Sequence, residues 1–360
     1  MSVLRTIKEF INPDSVSYPS ISPFEAGLRP NALLDEGRPI LGNDAGHEPD
    51  DVAFFEDGTL VFSSGTSLFT VSGGDVRTLA GFDGRTGAIE VIFGEAVTAV
   101  EGLGIVGVRL DGTVRTVNDD PLVQRGVTDL ALLPDGDILV TIGSSADSPW
   151  SLALARKEAT GRIVRVSGDR TSVEASGLPW PSGIAVAGSE VLLSLSFAHR
   201  IERRPLEVLG AAGSGVVGNL PVYPGRITSA GGHWWVAAPF ARNRMTELLL
   251  DEPEFLEEMV ATIDPDQWFV PRLRNDNHFT SVAQYGAVRV HGVIKPWAPP
   301  RSYGLFFEID RFGRVSRSAH SRADGDRHGI TGIAVSGDTV VAAAQGYRDL
   351  LAVTMEGAQG

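Results

Sequence analysis

The sequence predicts an all-β fold built from many short antiparallel strands. One unit, an apolar strand, a tight Gly-containing turn and a second apolar strand, recurs along most of the 360 residues. The 42 Gly and 21 Pro have no collagen-like period and are typical of turns between strands. Apolar residues make up 42% and charged residues 21%, which is ordinary for a globular protein with a core to bury.

The clearest copies of this unit lie in residues 177–238. The first copy begins at Pro181, where PSG precedes IAVAGSEVLLSL, and the second begins at Pro224, where PGR precedes ITSAGGHWWVAA. Four such strands in succession form one blade of a β-propeller. We therefore take the rest of the chain as a series of blades.

The blades follow one another after an N-terminal segment, residues 1–45, which we expect to wrap the outside or to supply a closing strand. DVAFFEDGTLVFSS and SLFTVSGGDVRTLAGF give the two hairpins of the first blade. AVTAVEGLGIVGVRLDGTVRTV gives the second blade, which places Thr98 at the start of its innermost strand. The first hairpin turns of the six blades are expected at Asp57, Glu101, Asp135, Gly188, Gly231 and Gly337.

The long step between the turns at Gly231 and Gly337 indicates an insertion. MTELLLDEPEFLEEMVATI has helical spacing, and a Trp- and Pro-rich segment follows it. YGLFFEIDRFGRVSRSAH then completes the fifth blade with a hairpin near Phe312. The prediction is a single six-bladed β-propeller over residues 46–360, with a small helical and aromatic insertion at 244–303 that acts as a lid in blade five.

Composition excludes several classes of function. The formal net charge of −14 disfavours nucleic acid as a partner, because that backbone binds clustered Lys and Arg. The absence of an 18-residue apolar run and of a signal-peptide pattern predicts a cytoplasmic protein with no membrane partner. With no Cys, thiolate chemistry and Cys-ligated zinc are excluded. A closed propeller hides its strand edges, so we expect a monomer that binds a small molecule.

The predicted site follows from propeller geometry, because the starts of the innermost strands converge on one face. The loops between second and third strands lie on that face too, and they bring Ser144, Ser145 and His199 there, while His47 and His328 precede innermost strands. Each His is more often a solvated loop residue than a catalytic group. The innermost strands themselves begin near Glu48, Asp50, Thr128 with Asp129, Ser182, Arg226 and Thr331.

Residues 45–355 resemble the strictosidine-synthase-like proteins, six-bladed propellers related to regucalcin and gluconolactonase. The resemblance is carried by TGRIVRV through WVAA at 160–238, by DLALLPDGDILVT, and by YGLFFEIDRFGRVSRS. It implies a calcium or similar divalent ion at the channel floor, held by a blade-one Glu and by Asn or Asp at the innermost strands. Here Glu48 or Asp50 offers the acid, but Thr128, Ser182 and Arg226 stand where relatives offer ligands. We therefore expect no metal cofactor, with calcium disfavoured.

The resemblance also implies the Pictet–Spengler condensation of strictosidine synthase, which relies on a Glu at the start of the last blade. Thr331 stands at the matching position, so that activity is not expected. In the metal-dependent lactonases of the group the ion polarises the substrate. Arg226 is the candidate for that role here, since a guanidinium binds a carboxylate, an enolate or a developing oxyanion.

Three functions stay open. The leading one is hydrolysis of a lactone or ester in the funnel, with Arg226, Glu48, Asp50, His199 and His328 as candidate catalytic residues. A metal-independent cyclase or isomerase of specialised metabolism would use the same groups, and a noncatalytic binding propeller would use an Arg226–acid pair only to plug the channel. The aromatic residues suggest a ring-containing ligand, although each alone is commonly packing. The candidate substrate-binding residues are His47, Thr128, Ser182, Thr331, Trp180 and Tyr223.

Overall fold

The computed structural model describes residues 28, 30–242, 244–273, 289–290, 293–294, 302–321 and 327–355. Within them, six four-stranded antiparallel sheets form the blades of a β-propeller. The predicted fold class is confirmed. Of the predicted lid, residues 274–288, 291–292 and 295–301 lie outside the described residues.

The strands follow the chain in blade order. Strand β1 (Arg38–Leu41) comes first. Blade one contains β2 (Pro49–Phe54), β3 (Leu60–Ser64), β4 (Ser67–Ser72) and β5 (Asp75–Gly81). Blade two contains β6 (Thr86–Ile92), β7 (Glu95–Val100), β8 (Gly104–Arg109) and β9 (Val114–Asn118). Blade three contains β10 (Val127–Leu132), β11 (Ile138–Ile142), β12 (Gly161–Ser167) and β13 (Arg170–Leu178).

Blade four contains β14 (Pro181–Ala187), β15 (Glu190–Leu195), β16 (Arg200–Pro205) and β17 (Ser214–Val217). A short pair, β18 (Val222–Tyr223) and β21 (Phe240–Ala241), brackets the first hairpin of blade five. Blade five itself contains β19 (Ile227–Ala230), β20 (His233–Ala237), β24 (Leu305–Ile309) and β25 (Val315–His320), with the small pair β22 (Arg289–Val290) and β23 (Val293–Ile294) between its halves. Blade six contains β26 (Ile330–Ser336), β27 (Thr339–Ala344) and β28 (Asp349–Thr354).

Blade six takes its fourth strand from the other end of the chain. Strand β1 pairs antiparallel with β28, with Arg38 opposite Ala352 and Pro39 opposite Leu351. The innermost strands also contact one another in a complete ring, from β2 through β6, β10, β14, β19 and β26 back to β2. The array of blades is therefore closed, with the innermost strands around a central channel.

The core is divided among the blade interfaces. Six clusters of buried apolar residues each combine side chains from two adjacent blades, including the interface between blades six and one. The second strands are the most apolar, and β3, β7, β11, β15 and β27 are almost wholly buried. A strand covered on both faces by neighbouring blades loses the alternation of polar and apolar residues that a half-exposed strand shows.

One predicted blade boundary is wrong. The innermost strand of blade two is β6, and its hairpin turns at Phe93 and Gly94, whereas the turn at Glu101 joins β7 to β8. Phe93 and Gly94 both have positive φ, 49° and 75°. Such a turn favours Asn or Gly at its first position, so the sequence at Phe93 does not indicate a turn. Thr98 consequently lies in the second strand and not at the start of the innermost one.

The helices lie in two insertions on the funnel face. Helix α1 (Trp150–Ala155) joins β11 to β12, and helices α2 (Arg244–Leu250) and α3 (Pro253–Thr262) lie in the connection from β20 to β24. A seventh apolar cluster joins them through Leu154, Tyr223, Leu256 and Trp268. The helical insertion therefore packs on the loops of blades three to five. Among the described residues, none of the helices has the length and apolar character needed to cross a bilayer.

Leu34, in the segment before β1, gives a stability prediction. Leu34 is fully buried in the cluster between blades five and six, and its N–H donates to the His320 carbonyl (3.1 Å). We expect Leu34→Ala to lower the free energy of unfolding by about 2–5 kcal/mol, because it leaves a cavity in a packed core. Leu103→Ala, at a position 45% exposed, should change it by less than about 0.5 kcal/mol. Urea denaturation measures both, and equal effects would contradict the packing described for Leu34.

Candidate functional site

The starts of the innermost strands are linked from blade to blade by side-chain hydroxyls. Thr128 Oγ1 donates to the Pro181 carbonyl (2.6 Å), Ser182 Oγ to the Pro224 carbonyl (2.5 Å) and Thr331 Oγ1 to the Asp50 carbonyl (2.6 Å). Each bond crosses to the next blade around the ring. Thr128, Ser182 and Thr331 are three of the six residues predicted to bind substrate. Their hydroxyl hydrogens are instead used to link neighbouring blades.

Arg226 lies across the channel at the same level. Its Nε donates to the Thr128 carbonyl (2.9 Å), and its Nη1 lies within hydrogen-bond distance of the carbonyls of Asp50 (2.9 Å) and Thr331 (3.2 Å). The guanidinium also meets the Asp50 carboxylate with two parallel bonds of 3.1 Å. One side chain from blade five thus joins blades one, three and six, and one Nη2 hydrogen is left without an acceptor among the described residues.

This ion pair is largely withdrawn from solvent, with the side chains of Arg226 and Asp50 exposed by 12% and 18%. Burial by itself would lower the pKa of Arg226, but Asp50 and the nearby Asp51 outweigh it and raise that pKa. The guanidinium is therefore a permanent cation on the channel axis. Asp50 is its counter-ion.

A divalent cation does not fit this arrangement. The Asp50 carboxylate is engaged by the guanidinium, and the carbonyls of Thr128 and Thr331, which could be oxygen ligands, face Arg226. Among the described residues, no three acidic, His or Cys side chains are grouped as metal ligands. A hard cation needs several oxygen ligands, and Arg226 occupies the place where they would converge.

Two further carboxylates lie deeper in the channel. Asp51 Oδ2 accepts the N–H of Ile89 in the next blade (2.8 Å), and Asp129 Oδ2 accepts the N–H groups of Ile184 (2.9 Å) and Ile227 (3.3 Å) from the next two blades. They satisfy backbone donors on the free inner edges of the innermost strands. Burial raises the pKa of Asp51 to about 6, against the opposing effect of Arg226. Burial, reinforced by the Asp51 charge, raises the pKa of Asp129 well above its usual value.

Glycine makes room for Asp51 and for the backbone at Gly225 and Arg226. A Cβ on Gly332 would lie 2.2 Å from Asp51 Oδ1, and a Cβ on Gly183 would lie 2.3 Å from the Gly225 carbonyl oxygen. Real Cβ atoms do not approach heavy atoms so closely. The innermost strands of blades four and six therefore lack a side chain at the level where Asp51 and Arg226 cross the axis.

Glu90 is the remaining acid of the channel. It lies on β6 one residue after Ile89, which bonds to Asp51. Its carboxyl group has no hydrogen-bond partner within the described part of the chain. Burial, and then the charge of Asp51, raises its pKa to about 7. The channel therefore holds a carboxyl group that changes its ionisation near neutral pH.

Above the ion pair, the funnel contains a cavity of about 470 Å³ whose floor includes Asp50 and Arg226. Trp180 forms part of its wall with a backbone φ of 54°, a conformation unusual for a bulky residue. Its ring stacks on Phe197 (5.3 Å between centroids) and lies so close to Gly143 that a Cβ there would be 2.7 Å from it. The strained backbone and the bare Gly143 hold an aromatic wall beside the charged floor.

The rim of this cavity is polar and carries both charges. Arg125 pairs with Asp147 (2.9 Å), whereas Arg85 is exposed and has no carboxylate partner among the described residues. Ser148 lies on the rim and donates to Glu158 Oε1 (2.9 Å). The cavity thus combines an aromatic wall, a buried ion pair and an unpaired arginine, a combination that favours a polar or anionic organic ligand.

Five predicted residues do not join Arg226 and Asp50. Glu48 pairs with Arg348 (3.2 Å), and His47 packs against the rings of Phe62 and Phe69. Burial lowers the pKa of His47. His328 Nδ1 lies 2.5 Å from Ser302 Oγ. The residues concerned are Glu48, His47, His328, His199 and Tyr223.

His199 and Tyr223 belong to a second cluster. Tyr223 is fully buried and donates to Glu247 Oε1 (3.2 Å), and Arg242 donates to Glu247 Oε2 (2.8 Å). His199 Nε2 lies 3.7 Å from the same Oε1. Neither His199 nor Tyr223 lines the funnel cavity. This cluster attaches helix α2 to blade four.

Comparison with known proteins shows the fold. No family model and no curated protein matches the sequence. Among solved structures, the chain is similar to regucalcin, a calcium-binding protein from Agrobacterium tumefaciens, with 11% identity over 90% of this chain and 94% of that one and a TM-score of 0.56. It is also similar to a luciferin-regenerating enzyme, with 11% identity over 91% of this chain and 96% of that one and a TM-score of 0.54. The predicted resemblance to the regucalcin group is confirmed for the fold, and the narrower likeness to strictosidine synthase stays a prediction.

Sequence reasoning missed Asp51 and Glu90. A signal for Asp51 was present, because Asp51 and Asp129 occupy the same place before an apolar pair, in DVAF and DLAL. Glu90 was hidden by the misplaced turn of blade two, which assigned no innermost strand to residues 86–92. Aligning the six innermost strands residue by residue would have exposed both.

Glu90 gives a prediction about pH. Its pKa is raised in the folded protein, so ionising it costs stability, and the cost appears as pH rises from about 4.5 to about 7. We expect Glu90→Gln to gain stability relative to the parent between about pH 5 and pH 8, by an amount on the order of 3 kcal/mol at most. Denaturant unfolding across this range measures the difference.

Glu95→Gln is the matched control. Burial tends to raise the pKa of Glu95, but its bonds to Arg115 and Arg109 outweigh this and lower it. It is therefore ionised throughout the same range, and its replacement should cost stability by an amount that does not vary between about pH 5 and pH 8. Parallel pH profiles for the two variants would refute the environment assigned to Glu90.

Proposed function

We propose that this chain is a small-molecule enzyme that hydrolyses a lactone or ester in the funnel cavity without a divalent metal. One observation carries the proposal: the buried Arg226–Asp50 pair forms the floor of a cavity of about 470 Å³. A fixed guanidinium that is largely withdrawn from solvent stabilises negative charge better than one in bulk water. The fold shared with regucalcin and with an enzyme that regenerates luciferin supports a role with small organic molecules.

The chemistry would use both members of the pair. The free Nη2 hydrogen of Arg226 donates to the carbonyl oxygen of the substrate, which becomes an oxyanion when water attacks the carbonyl carbon. Asp50 accepts the proton of that water and returns it to the alkoxide as the ring C–O or ester C–O bond breaks. A carboxylate paired with a guanidinium is a weak base, so activated esters and strained lactones are the substrates that suit it.

Trp180 and Arg85 would set the substrate class. The ring of Trp180 forms an apolar wall, and the unpaired Arg85 lies at the rim above it. A flat, ring-containing substrate with an anionic substituent complements these groups. The proposal therefore favours aromatic lactones and esters that carry a carboxylate.

A noncatalytic binding propeller is the second candidate, and one observation favours it. Nearly all the hydrogens of the Arg226 guanidinium are already engaged by Asp50 and by the carbonyls of Thr128 and Thr331. Such a group can serve stability and ligand shape without taking part in a reaction. Both candidates predict that a small molecule binds in the cavity, but only the enzyme predicts turnover.

The test is hydrolysis of a panel of lactones and aryl esters by the protein after dialysis against EDTA. We expect turnover to survive the chelator, and kcat to fall by about a hundredfold or more in Arg226→Lys, which keeps the charge but loses the planar array of donors. Asp50→Asn should lose kcat to a similar degree with little change in KM. Arg203→Lys, on the opposite face, is the control and should behave as the parent.

Circular dichroism and melting of each variant separate loss of chemistry from loss of fold. Unchanged kcat in both folded variants would reject the roles of Arg226 and Asp50. Binding of panel members without turnover by the parent protein would favour the binding propeller. Loss of turnover in EDTA, restored by Ca²⁺, would overturn the metal-independent mechanism.

A further inference from the structure

A second cavity lies beside the funnel and is independent of the proposed reaction. Its volume is about 300 Å³, at the small end of the range of roughly 300–1,000 Å³ for ligand sites. The Trp180–Phe197 stack divides it from the funnel, since Trp180 lines one cavity and Phe197 the other. Three elements supply its walls: the segment after α1, the loop between β15 and β16, and helix α2.

The protonation of His199 follows from one contact. Its Nδ1 lies 3.1 Å from the Val222 carbonyl oxygen, which can only accept, so Nδ1 carries the hydrogen. Burial, and then the nearby Arg242 charge, lowers the pKa of His199 to about 4, against the opposing effect of Glu247. The ring is therefore neutral at pH 7, and Nε2 presents a lone pair.

That lone pair faces another acceptor. Nε2 lies 3.7 Å from Glu247 Oε1, and it has no donor among the described residues. The Glu247 carboxylate is held in place from the other side by Tyr223 and Arg242. Two acceptors held this close repel each other unless a donor lies between them.

The backbone of His199 is also unusual. Its φ of 50° places it in the left-handed region, at the end of a short 3₁₀ turn. The bond to Val222 and the edge contact with the Tyr223 ring (4.5 Å between centroids) hold the imidazole in this position. A non-glycine residue kept in such a conformation beside a cavity points to a use for its side chain.

The charged groups around the cavity sum to a single negative charge. Glu247 is balanced by Arg242, and Asp251 by Lys157 (2.8 Å). Glu158, which also lines the cavity, is held by the hydroxyls of Ser144 and Ser148 and has no basic partner within the described residues. One carboxylate therefore stays uncompensated, while Leu154, Phe197 and Leu250 supply apolar surface.

We propose that this second cavity binds a small organic ammonium ion, whose N–H groups bridge His199 Nε2 and Glu247 Oε1 while its apolar part contacts Phe197 and Leu250. An ammonium has three donors and one charge, which match two facing acceptors and a site of net negative charge. The apolar part of the ligand buries its surface against Phe197, and the cation itself can contact the aromatic ring.

The experiment uses benzylammonium as the probe and benzyl alcohol as its neutral counterpart, with isothermal titration calorimetry on the whole protein at about pH 7.5. We expect saturable binding of benzylammonium with one site and none of benzyl alcohol. His199→Asn keeps a residue that tolerates the left-handed backbone but is too short to reach, and Glu247→Gln removes the charge. Each should weaken binding by about tenfold or more.

His233→Asn is the matched control, because His233 begins β20 on the opposite face, and it should bind as the parent does. In the parent protein, the His199 ring nitrogen signals in a ¹⁵N NMR titration should shift with the same dissociation constant, and this readout stands even if a variant fails to fold. Absence of saturable binding, equal binding of benzyl alcohol, or binding that leaves His199 and both variants unaffected would overturn the proposal. A water molecule alone between the two acceptors would give the first of these results.

Discussion

The guanidinium of Arg226 is the interaction on which the centre of this propeller depends. A ring of blades has an axis where the innermost strands expose unpaired backbone groups, and these groups must be satisfied without filling the channel with bulk. Arg226 donates hydrogen bonds to carbonyls from three blades other than its own, and the Asp50 carboxylate neutralises its charge. Gly183 lets the backbone at Gly225 and Arg226 approach closely, and Gly332 does the same for Asp50 and Asp51.

The same axis carries more acid than base. Asp51 and Asp129 accept N–H groups from neighbouring blades, so they have a structural use, but Arg226 is the one described cation in contact with them. Burial raises the pKa values of Asp51, Asp129 and Glu90, and the charge of a neighbouring carboxylate adds to each increase. Stability and ionisation are therefore coupled in the channel, and any reaction at its mouth takes place above a group of carboxyls that are sensitive to pH.

The sequence predicted the blades better than it predicted the site. Gly-containing turns locate five of the first hairpins because Gly adopts positive φ at no steric cost, whereas Phe93 adopts it against its own preference and misplaces the sixth. Local patterns identify the loops that share a face, and Arg226 and Asp50 do meet there. Local patterns do not show which neighbours a side chain contacts. The pairing of Glu48 with Arg348 and the approach of His199 to Glu247 are therefore seen only in the three-dimensional structure.

The closing strand has a consequence for how the molecule forms. Strand β1 pairs with β28, and Thr331 bonds to the carbonyl of Asp50 across 281 positions of sequence. Contacts of such long range form late, because the entropy of closing so large a loop must be overcome before they contribute. Blades two to four can be assembled from local hairpins alone. Strands β1 and β2 can complete their contacts only after blade six has formed. Folding should therefore end with closure of the ring, and a ring left open would expose β28 as a free edge for another chain.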